Sequence, residues 1–502
     1  MNFNSLHFLI FLPVVLIGYW LLPQRFRWIL LLAASYYFYM SWNPWLVFLI
    51  LGTTVVSYGA GIAIEKSSKP GMRKFLLAAT LVVCFGILFF FKYFNFLLDS
   101  VFSLIRLFVP EAESPALDLI LPVGISFYTF QTLSYVIDVY RGDFRAETHF
   151  GYYALFVSFF PQLVAGPIER PGDLIPQLRA EHKLNSDDME AGLRIMISGF
   201  FRKCVIADSC AVFVNSVFSD LSSANSLAIA LAGFLFLIQM YNDFAGYSEI
   251  AMGAARMMGI KLTVNFDRPL LATGFRSFFR RWHITLTRWF TDYLYIPLGG
   301  NRKGKGRHIF NTFVVFAVCG LWHGANWTYV IWGLYAAFFI SLEILLKTPL
   351  AKISAKLHIN TASAPVIYAK RLIFILLSVP SALIFRSTSI FEAWECLTGL
   401  FSGAGFGIGY LNDAMTALSM SAADIVQIGL CLACLFLLGN FVFYGGNGMP
   451  GLRMDKALDG PVKTVNVLNR VSAYWFGILA VALGWLILIA DSDASSFAYF
   501  QF

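Results

Sequence analysis

The sequence predicts an all-α protein that crosses a membrane many times. Of its 502 residues, 58% are hydrophobic and 13% are charged, and the mean hydropathy is +0.69. Soluble domains contain about 25% charged residues. Aromatic residues make up 17% of the chain, which suits rings placed at both membrane interfaces. The composition excludes a soluble multidomain protein, a disordered chain and a secreted disulfide scaffold.

Apolar stretches of membrane-spanning length recur along the chain. A span needs about 17 to 25 predominantly apolar residues. Firm candidates lie near 6–22, 28–42, 45–64, 75–98, 119–138, 224–243, 325–346, 364–385, 425–444 and 471–490. Weaker segments, several of them too short to cross, lie near 150–165, 190–218, 247–260, 284–298 and 309–321. The first run lacks a basic leader and a cleavage site, so we interpret it as a retained span.

The distribution of Lys and Arg predicts sidedness. The loops 65–74, 301–307 and 347–371 are rich in basic residues and should face the cytoplasm, whereas 111–118 and 387–424 contain none and should face outward. The net charge of +8 therefore reports orientation, and we expect no nucleic-acid partner. The carboxyl-terminal tail after Asp491 should also face outward.

The middle of the chain does not divide cleanly into crossings. We expect amino-terminal transmembrane helices over 1–110, a catalytic core with re-entrant segments over 111–350, and carboxyl-terminal transmembrane helices over 351–502. Irregular backbone is tolerated at membrane depth only where protein encloses it or a cavity borders it. Five Gly and Pro residues should break any helix in the segment FFPQLVAGPIERPGDLIPQL: Pro161, Gly166, Pro167, Pro171 and Pro176.

His323 is the first candidate catalytic residue. It lies in GLWHGANW, between two basic segments that should both be cytoplasmic. The preceding apolar arm, 309–321, rises only about 20 Å as a helix, which is less than the hydrocarbon core. We therefore expect His323 deep in the membrane at the tip of a hairpin, with its turn at 324–326. An ionisable side chain at that depth usually borders a pathway or a site.

His283 is the second candidate, in a short element with basic flanks. Arg276, Arg280 and Arg281 precede it. These arginines are either an orientation signal or a binding site for the phosphates of an acyl donor, because guanidinium binds phosphate bidentately.

A third polar cluster lies in the motif YNDFAGYSE. It places Asn242, Asp243 and Glu249 in apolar surroundings, where an acid needs a partner such as Arg256 or the arginines near His283. Structural pairing is at least as good an interpretation of Asp243 as chemistry. Cys431 and Cys434 form a C-x-x-C pair without polar neighbours, so we expect no metal site.

Four ordered motifs carry a resemblance to a known family. They are LVAGPIERP at 163–171, YNDFAGYSE at 241–249, FRRWHITLTRW around His283, and the WHG tripeptide at 322–324. Together they resemble the membrane-bound O-acyltransferase superfamily, and in particular its bacterial branch of alginate O-acetylation subunits. The resemblance runs from 121 through His323, and the closing FAYFQF is similar to the carboxyl terminus of that branch.

The resemblance implies a ring of tilted transmembrane helices, with short and re-entrant helices around a central tunnel. It implies O-acyl transfer in the bacterial inner membrane, with His323 and His283 as catalytic residues and acetyl-CoA as donor, without a permanently bound cofactor. A periplasmic or lipoprotein acetyltransferase would receive the acetyl group, and membrane lipid would surround the chain. We expect six further residues to contact substrates: Arg280, Arg281, Trp322, Asn326, Asp243 and Tyr241.

Several alternatives stay open at the level of sequence. His323 is a candidate general base, and a covalent acyl-histidine relay is the other possibility. The acceptor glycan and the nature of the donor, coenzyme or carrier protein, are not determined, and D-alanyl, peptidoglycan or cellulose acyl transfer are related options. A lipid or acyl-substrate transporter is the candidate from a different class, although no second half matching the His323 hairpin is visible.

Overall fold

The computed structural model describes residues 1–438, and every regular element among them is helical. The first nine α-helices are α1 Leu6–Leu21, α2 Gln24–Met40, α3 Val47–Lys66, α4 Pro70–Leu88, α5 Phe94–Ile105, α6 Ile125–Arg141, α7 Phe150–Ser158, α8 Pro171–Arg179 and α9 Ser186–Phe200. The others are α10 Asp208–Ser219, α11 Ser226–Met257, α12 Phe275–Phe279, α13 Ile284–Phe290, α14 Gly304–His323, α15 Trp327–Lys356, α16 Ala364–Arg386, α17 Ile390–Gly399, α18 Ile408–Ala417 and α19 Ala422–Leu438.

Three π-helical segments and three 3-10 turns complete the described helices. The π-helical segments are Phe89–Tyr93, Phe201–Ala207 and Thr291–Tyr295, and each continues from the end of an α-helix. The 3-10 turns are Pro44–Leu46, Leu221–Ser223 and Pro269–Leu271. A π-helical turn inserts an extra residue into a helix and is frequent at functional sites.

The membrane character of the chain is confirmed by its helices. Within the described part, five are long and apolar enough to span a bilayer: Pro44–Lys66, Pro70–Ile105, Ser226–Met257, Trp327–Lys356 and Ala364–Arg386. They correspond to five of the predicted spans. The pair Ile408–Ala417 and Ala422–Ala433 is bent by 72° and would count as a sixth if it is one broken span. The predicted span 425–444 overlaps this pair in part, and 471–490 and the closing FAYFQF lie outside the described residues.

Three predicted spans form helices of only 16 or 17 residues, at or just below the shortest membrane-spanning length. The stretch 119–138 becomes α6, which begins only at Ile125 because Pro122 and the left-handed Gly124 (φ 75°) precede it. The stretches 6–22 and 28–42 become α1 and α2, of 16 and 17 residues. The expected helix break at 159–170 is confirmed, but Pro171 begins α8 and Pro176 lies inside it. A proline is tolerated in the first turn because that N–H has no helical acceptor.

The described residues form two compact units. The first contains 1–197 and 247–263, and the second contains 198–246 and 264–438. In the first, α3, α4 and α6 pack together, and a buried hydrogen bond of 2.7 Å joins the Tyr153 hydroxyl to Ser57 Oγ. The division of the chain into three segments at 110 and 350 stays a prediction.

In the second unit, α14 and α15 form the predicted hairpin. The chain reverses at 324–326, and two glycines allow the helices to pack closely. A methyl group at Gly320 would collide with the Tyr329 carbonyl, and one at Gly333 would collide with the Phe316 carbonyl. The prediction about the leading arm was wrong in length, since α14 has 20 residues rather than 13 and begins at Gly304. Five of the seven extra residues, 304–308, form a basic stretch that the apolar count left out, and the other two are Trp322 and His323.

Candidate active site

His323 is the last residue of α14 and lies against an aromatic cluster. Its side chain is buried, and its ring centroid lies 5.2 Å from that of Trp332 on α15 and 5.4 Å from that of Phe385 on α16. Both rings meet the imidazole edge to face, at interplanar angles of 88° and 77°. The turn after His323 fixes this position, because Asn326 caps α15 through a 3.0 Å bond from the Thr328 N–H.

A cavity of about 60 Å³ borders His323. Its walls come from α11, α12, α14, α15 and α16, together with Trp282, and they are mostly aromatic or aliphatic. Among the described residues that surround it, His323 is the one imidazole, and two serines supply the hydroxyl groups. The lining comprises Phe236, Leu237, Met240, Phe275, Phe278, Phe279, Trp282, His323, Trp332, Ser378, Ser381, Ala382 and Phe385. The low dielectric of such an apolar lining strengthens any electrostatic interaction made inside the cavity.

His283 lies near His323 in the same unit. Its ring centroid is 5.8 Å from that of Trp322, and the Trp322 centroid is 5.1 Å from that of His323. Its backbone adopts the left-handed conformation, with φ 45° and ψ 54°, immediately before α13. His283 lies outside the five candidate spans. Burial, with a further contribution from His323, lowers its pKa well below the ordinary value of histidine.

Asn265 holds His283 and was not among the predicted site residues. Its side-chain oxygen lies 3.0 Å from His283 Nδ1 and 2.9 Å from the Thr285 hydroxyl. Asn265 is almost fully buried, with 1% of its surface exposed. Its role could not be found from the sequence, because an asparagine 18 positions before a histidine follows no helical or strand periodicity.

The two predicted donor-binding arginines differ in environment. Arg281 bonds to Asp267, with its guanidinium 3.2 Å from the main-chain oxygen and 3.4 Å from the carboxylate. Arg280 is exposed, as is Arg276. These arginines alternate with the aromatic residues of α12 that border the cavity, Phe275, Phe278 and Phe279.

The YNDFAGYSE motif contributes a buried ion pair. Asp243 lies 2.8 Å from the Lys203 ammonium, and both side chains are 2% exposed. Lys203 also pairs with Asp208 at 2.8 Å. The predicted partners of Asp243 were wrong: Arg256 pairs with Asp188 at 2.7 Å. The sequence could not show this because Lys203 lies forty positions away on the π-helical segment.

Tyr241 and the neighbouring Asn242 connect this ion pair to the aromatic residues near His283. Arg202 donates to the Asn242 side-chain oxygen at 3.0 Å, and its guanidinium carbon lies 5.2 Å from the Tyr241 ring centroid. The Tyr241 ring is 6.3 Å from that of Trp282. Tyr241 and Trp322, two of the residues predicted to contact substrates, therefore lie among aromatic side chains near His283.

Asp243 and Asn326 make structural contacts. Asn326 caps α15 and donates to the Thr388 carbonyl at 2.6 Å, and Asp243 is engaged with Lys203. Their roles toward substrates stay predictions. Within the described residues, no group of three or more His, Cys, Asp or Glu side chains is arranged to hold a metal ion.

The fold and the site together define a class: a polytopic membrane protein with a buried histidine at the wall of an aromatic cavity. A model of the membrane-bound O-acyltransferase family matches residues 144–384, which include both histidines. The chain is also 37% identical to a protein described as "Probable alginate O-acetylase AlgI" from Pseudomonas aeruginosa, over the full length of both. It is 34% identical to the protein of the same description from Azotobacter vinelandii, again over both full lengths.

A relative with a different described substrate is nearly as similar. The peptidoglycan O-acetyltransferase of Helicobacter pylori is 33% identical, over 98% of this chain and 95% of that protein. The chain belongs to the membrane-bound O-acyltransferase family, and it is an O-acyltransferase.

Proposed function

We propose that this enzyme takes an acetyl group from acetyl-CoA at the cytoplasmic face of the bacterial inner membrane and passes it across the membrane for O-acetylation of an exopolysaccharide such as alginate. The observation that carries the proposal is the buried imidazole of His323 at the wall of the apolar cavity. The names of the relatives, alginate O-acetylase and peptidoglycan O-acetyltransferase, support a glycan as the acceptor class.

His323 acts as the general base in this proposal. Its neutral imidazole takes the proton of the acceptor hydroxyl as that oxygen attacks the thioester carbonyl carbon. The tetrahedral intermediate collapses, the carbon–sulfur bond breaks, and the thiolate leaves with the proton that the imidazole returns. The products are an ester and a free thiol. The aromatic walls exclude water, which would otherwise compete with the hydroxyl for the thioester.

The alternative chemistry is an acyl-histidine relay. In that case the imidazole nitrogen itself attacks the thioester, the thiol leaves, and the hydroxyl then takes the acyl group from the ring. Both routes need His323 at the cavity, and they differ in whether the protein becomes labelled before the acceptor is added. The general-base route is the one we propose.

The donor should approach from the side that carries the exposed basic residues. Arg276 lies on α12 and Arg280 caps its end, next to the phenylalanines of the cavity wall, and Arg302, Lys303 and Lys305 are also exposed. Phosphate groups of a coenzyme thioester suit exposed guanidinium groups, which bind them bidentately. A separate periplasmic or lipoprotein acetyltransferase then receives the acetyl group outside and places it on the polymer.

The experiment that tests the proposal uses the purified full-length protein in liposomes. Acetyl-CoA labelled in the acetyl group is added outside liposomes in which the basic loops face outward and which enclose the partner acetyltransferase with an acceptor oligosaccharide. Free thiol and labelled ester are measured. The proposal predicts thiol release that depends on the acceptor, with the label in an ester. Counterflow of labelled substrate without thiol release would contradict it and indicate a transporter.

A further inference from the structure

Asn265 makes an unusual set of contacts around His283. Its side-chain oxygen lies 3.0 Å from His283 Nδ1, 2.9 Å from the Thr285 hydroxyl and 3.3 Å from the Thr285 main-chain nitrogen. Its main-chain oxygen accepts a 2.9 Å bond from the Ile284 N–H. One asparagine therefore bonds to three consecutive residues, His283 to Thr285.

The donor and acceptor roles in this cluster follow from elementary hydrogen-bond chemistry. A main-chain N–H can only donate, so the Asn265 atom that faces the Thr285 nitrogen is the amide oxygen rather than the amide nitrogen. An amide oxygen can only accept. The His283 Nδ1 atom, which shares this oxygen, must then carry a hydrogen. In a neutral imidazole the other nitrogen, Nε2, is left without one.

We infer that Asn265 is a positioning residue that holds His283 as the tautomer with its hydrogen on Nδ1, so that Nε2 acts as a hydrogen-bond acceptor toward the substrates. This inference rests on the proposed function, because it assigns His283 a task in that reaction. A neutral His283 of this tautomer cannot donate from Nε2 to the thioester oxygen. Its Nε2 atom instead accepts a hydrogen bond from an N–H or O–H group of a substrate. A different group must then polarise the thioester carbonyl.

The backbone around His283 supports the idea that its orientation is imposed. A non-glycine residue in the left-handed conformation is strained and persists only when its surroundings determine it. Here two main-chain bonds of 2.9 Å, from Ile284 to Asn265 and from Asp267 to Arg281, align residues 265–267 with residues 281–284. The ring is further enclosed by Phe244, with 4.7 Å between centroids.

The titratable groups around His283 are either paired with an opposite charge or belong to His323. From α14 the titratable neighbour is His323. From α11 the nearest acid in sequence to Phe244 is Asp243, which pairs with Lys203. From the Asn265 segment it is Asp267, which bonds to Arg281 and lies 4.0 Å from Arg268. A new charge at position 265 would therefore act on His283 from a site that is neutral in the wild type.

The test is Asn265→Asp in the full-length protein. A carboxylate can accept the same three bonds, but its charge favours the imidazolium form of His283 and raises its pKa. We expect the acid limb of the pH profile of kcat/KM, measured by thiol release, to move upward by about one to three pH units. Activity should be lost as the pH falls through the raised pKa and should return toward the wild-type level at alkaline pH.

Two further variants separate positioning from simple support of the fold. Thr285→Val removes one bond to Asn265 but not the contact to His283, so its acid limb should stay at the wild-type pH. Asn265→Leu should lower kcat/KM at every pH, with protein level checked in membranes. An unmoved acid limb in folded Asn265→Asp, or its inactivity at every pH, would overturn the inference. Absence of thiol release from the wild type would instead refute the proposed function.

Discussion

The Trp322 indole lies 5.8 Å from the His283 ring and meets it at an interplanar angle of 67°. Because Trp322 also precedes His323 in the chain and contacts its ring at 5.1 Å, one side chain separates the two imidazoles. The two histidines, forty residues apart in sequence, therefore share one apolar environment.

Trp322→Ala should damage both packing and catalysis. Removing a buried tryptophan costs about 3–5 kcal/mol of stability through lost contacts and a cavity, and it admits water between the histidines. We expect a lower melting temperature and acyl transfer that is diverted to hydrolysis, measured as thiol release without acceptor ester. Trp322→Phe keeps a ring at this position and should retain coupled transfer. An equal ratio of ester formed to thiol released in the Trp322→Ala and Trp322→Phe variants would contradict the role of the indole in excluding water.

The protein should lose more stability when one member of the Lys203–Asp243 pair is replaced than when both are replaced. Lys203→Met leaves the Asp243 carboxylate buried without its ammonium, which costs about 3–5 kcal/mol. The double variant Lys203→Met with Asp243→Asn removes both charges and should recover much of that loss. The measurement is thermal unfolding of the purified proteins in detergent. Additive losses in the double variant would show that the two charges do not compensate each other.

Close packing of α14 against α15 should make Gly320 intolerant of a side chain. Gly320→Ala places a methyl group against the Tyr329 carbonyl, and overpacking of this kind typically costs about 1–3 kcal/mol. Because Gly320 lies one helical turn before His323, transfer should fall as well. Gly306→Ala is the matched control on the same helix, since it has open space around it. Equal melting temperatures for the two variants would contradict the packing argument.

Arg280 and Arg281 should respond differently to removal of their charge. Arg280 is exposed, so Arg280→Gln should raise KM for acetyl-CoA about tenfold, the equivalent of one charge-assisted bond of about 1.4 kcal/mol, with little change in kcat. Arg281 bonds to Asp267, so Arg281→Gln should lower the melting temperature instead. Steady-state kinetics at two salt concentrations distinguish these effects. An unchanged KM for acetyl-CoA in Arg280→Gln would show that the donor phosphates do not bind at this position.

The parts of the site that were predictable depend on local sequence. The α14–α15 hairpin follows from two apolar runs separated by Gly324, Ala325 and Asn326, and the position of His323 follows from the same pattern. The five confirmed spans follow from the length of their apolar stretches alone. The predicted span 119–138 does not begin where expected, because Pro122 and Gly124 delay the start of α6 to Ile125. At that point the backbone preferences of proline and glycine outweighed the apolar composition of the stretch.

The remaining features depend on contacts between distant segments. Lys203 reaches Asp243 from a π-helical segment, which shifts side chains away from the spacing of a regular α-helix. Asn265 reaches His283 because two irregular segments lie side by side. Neither juxtaposition has a periodic signal in one sequence, so the partners of both candidate groups were accessible only from the structure.

The most direct test of the account is acyl transfer by His323→Ala, compared with His308→Ala on the same helix. Loss of a general base lowers transfer by about 10²- to 10⁴-fold, so the account predicts that decrease in His323→Ala at a normal membrane level, with near wild-type transfer in His308→Ala. Full ester formation by folded His323→Ala would contradict the central claim that this imidazole performs the reaction.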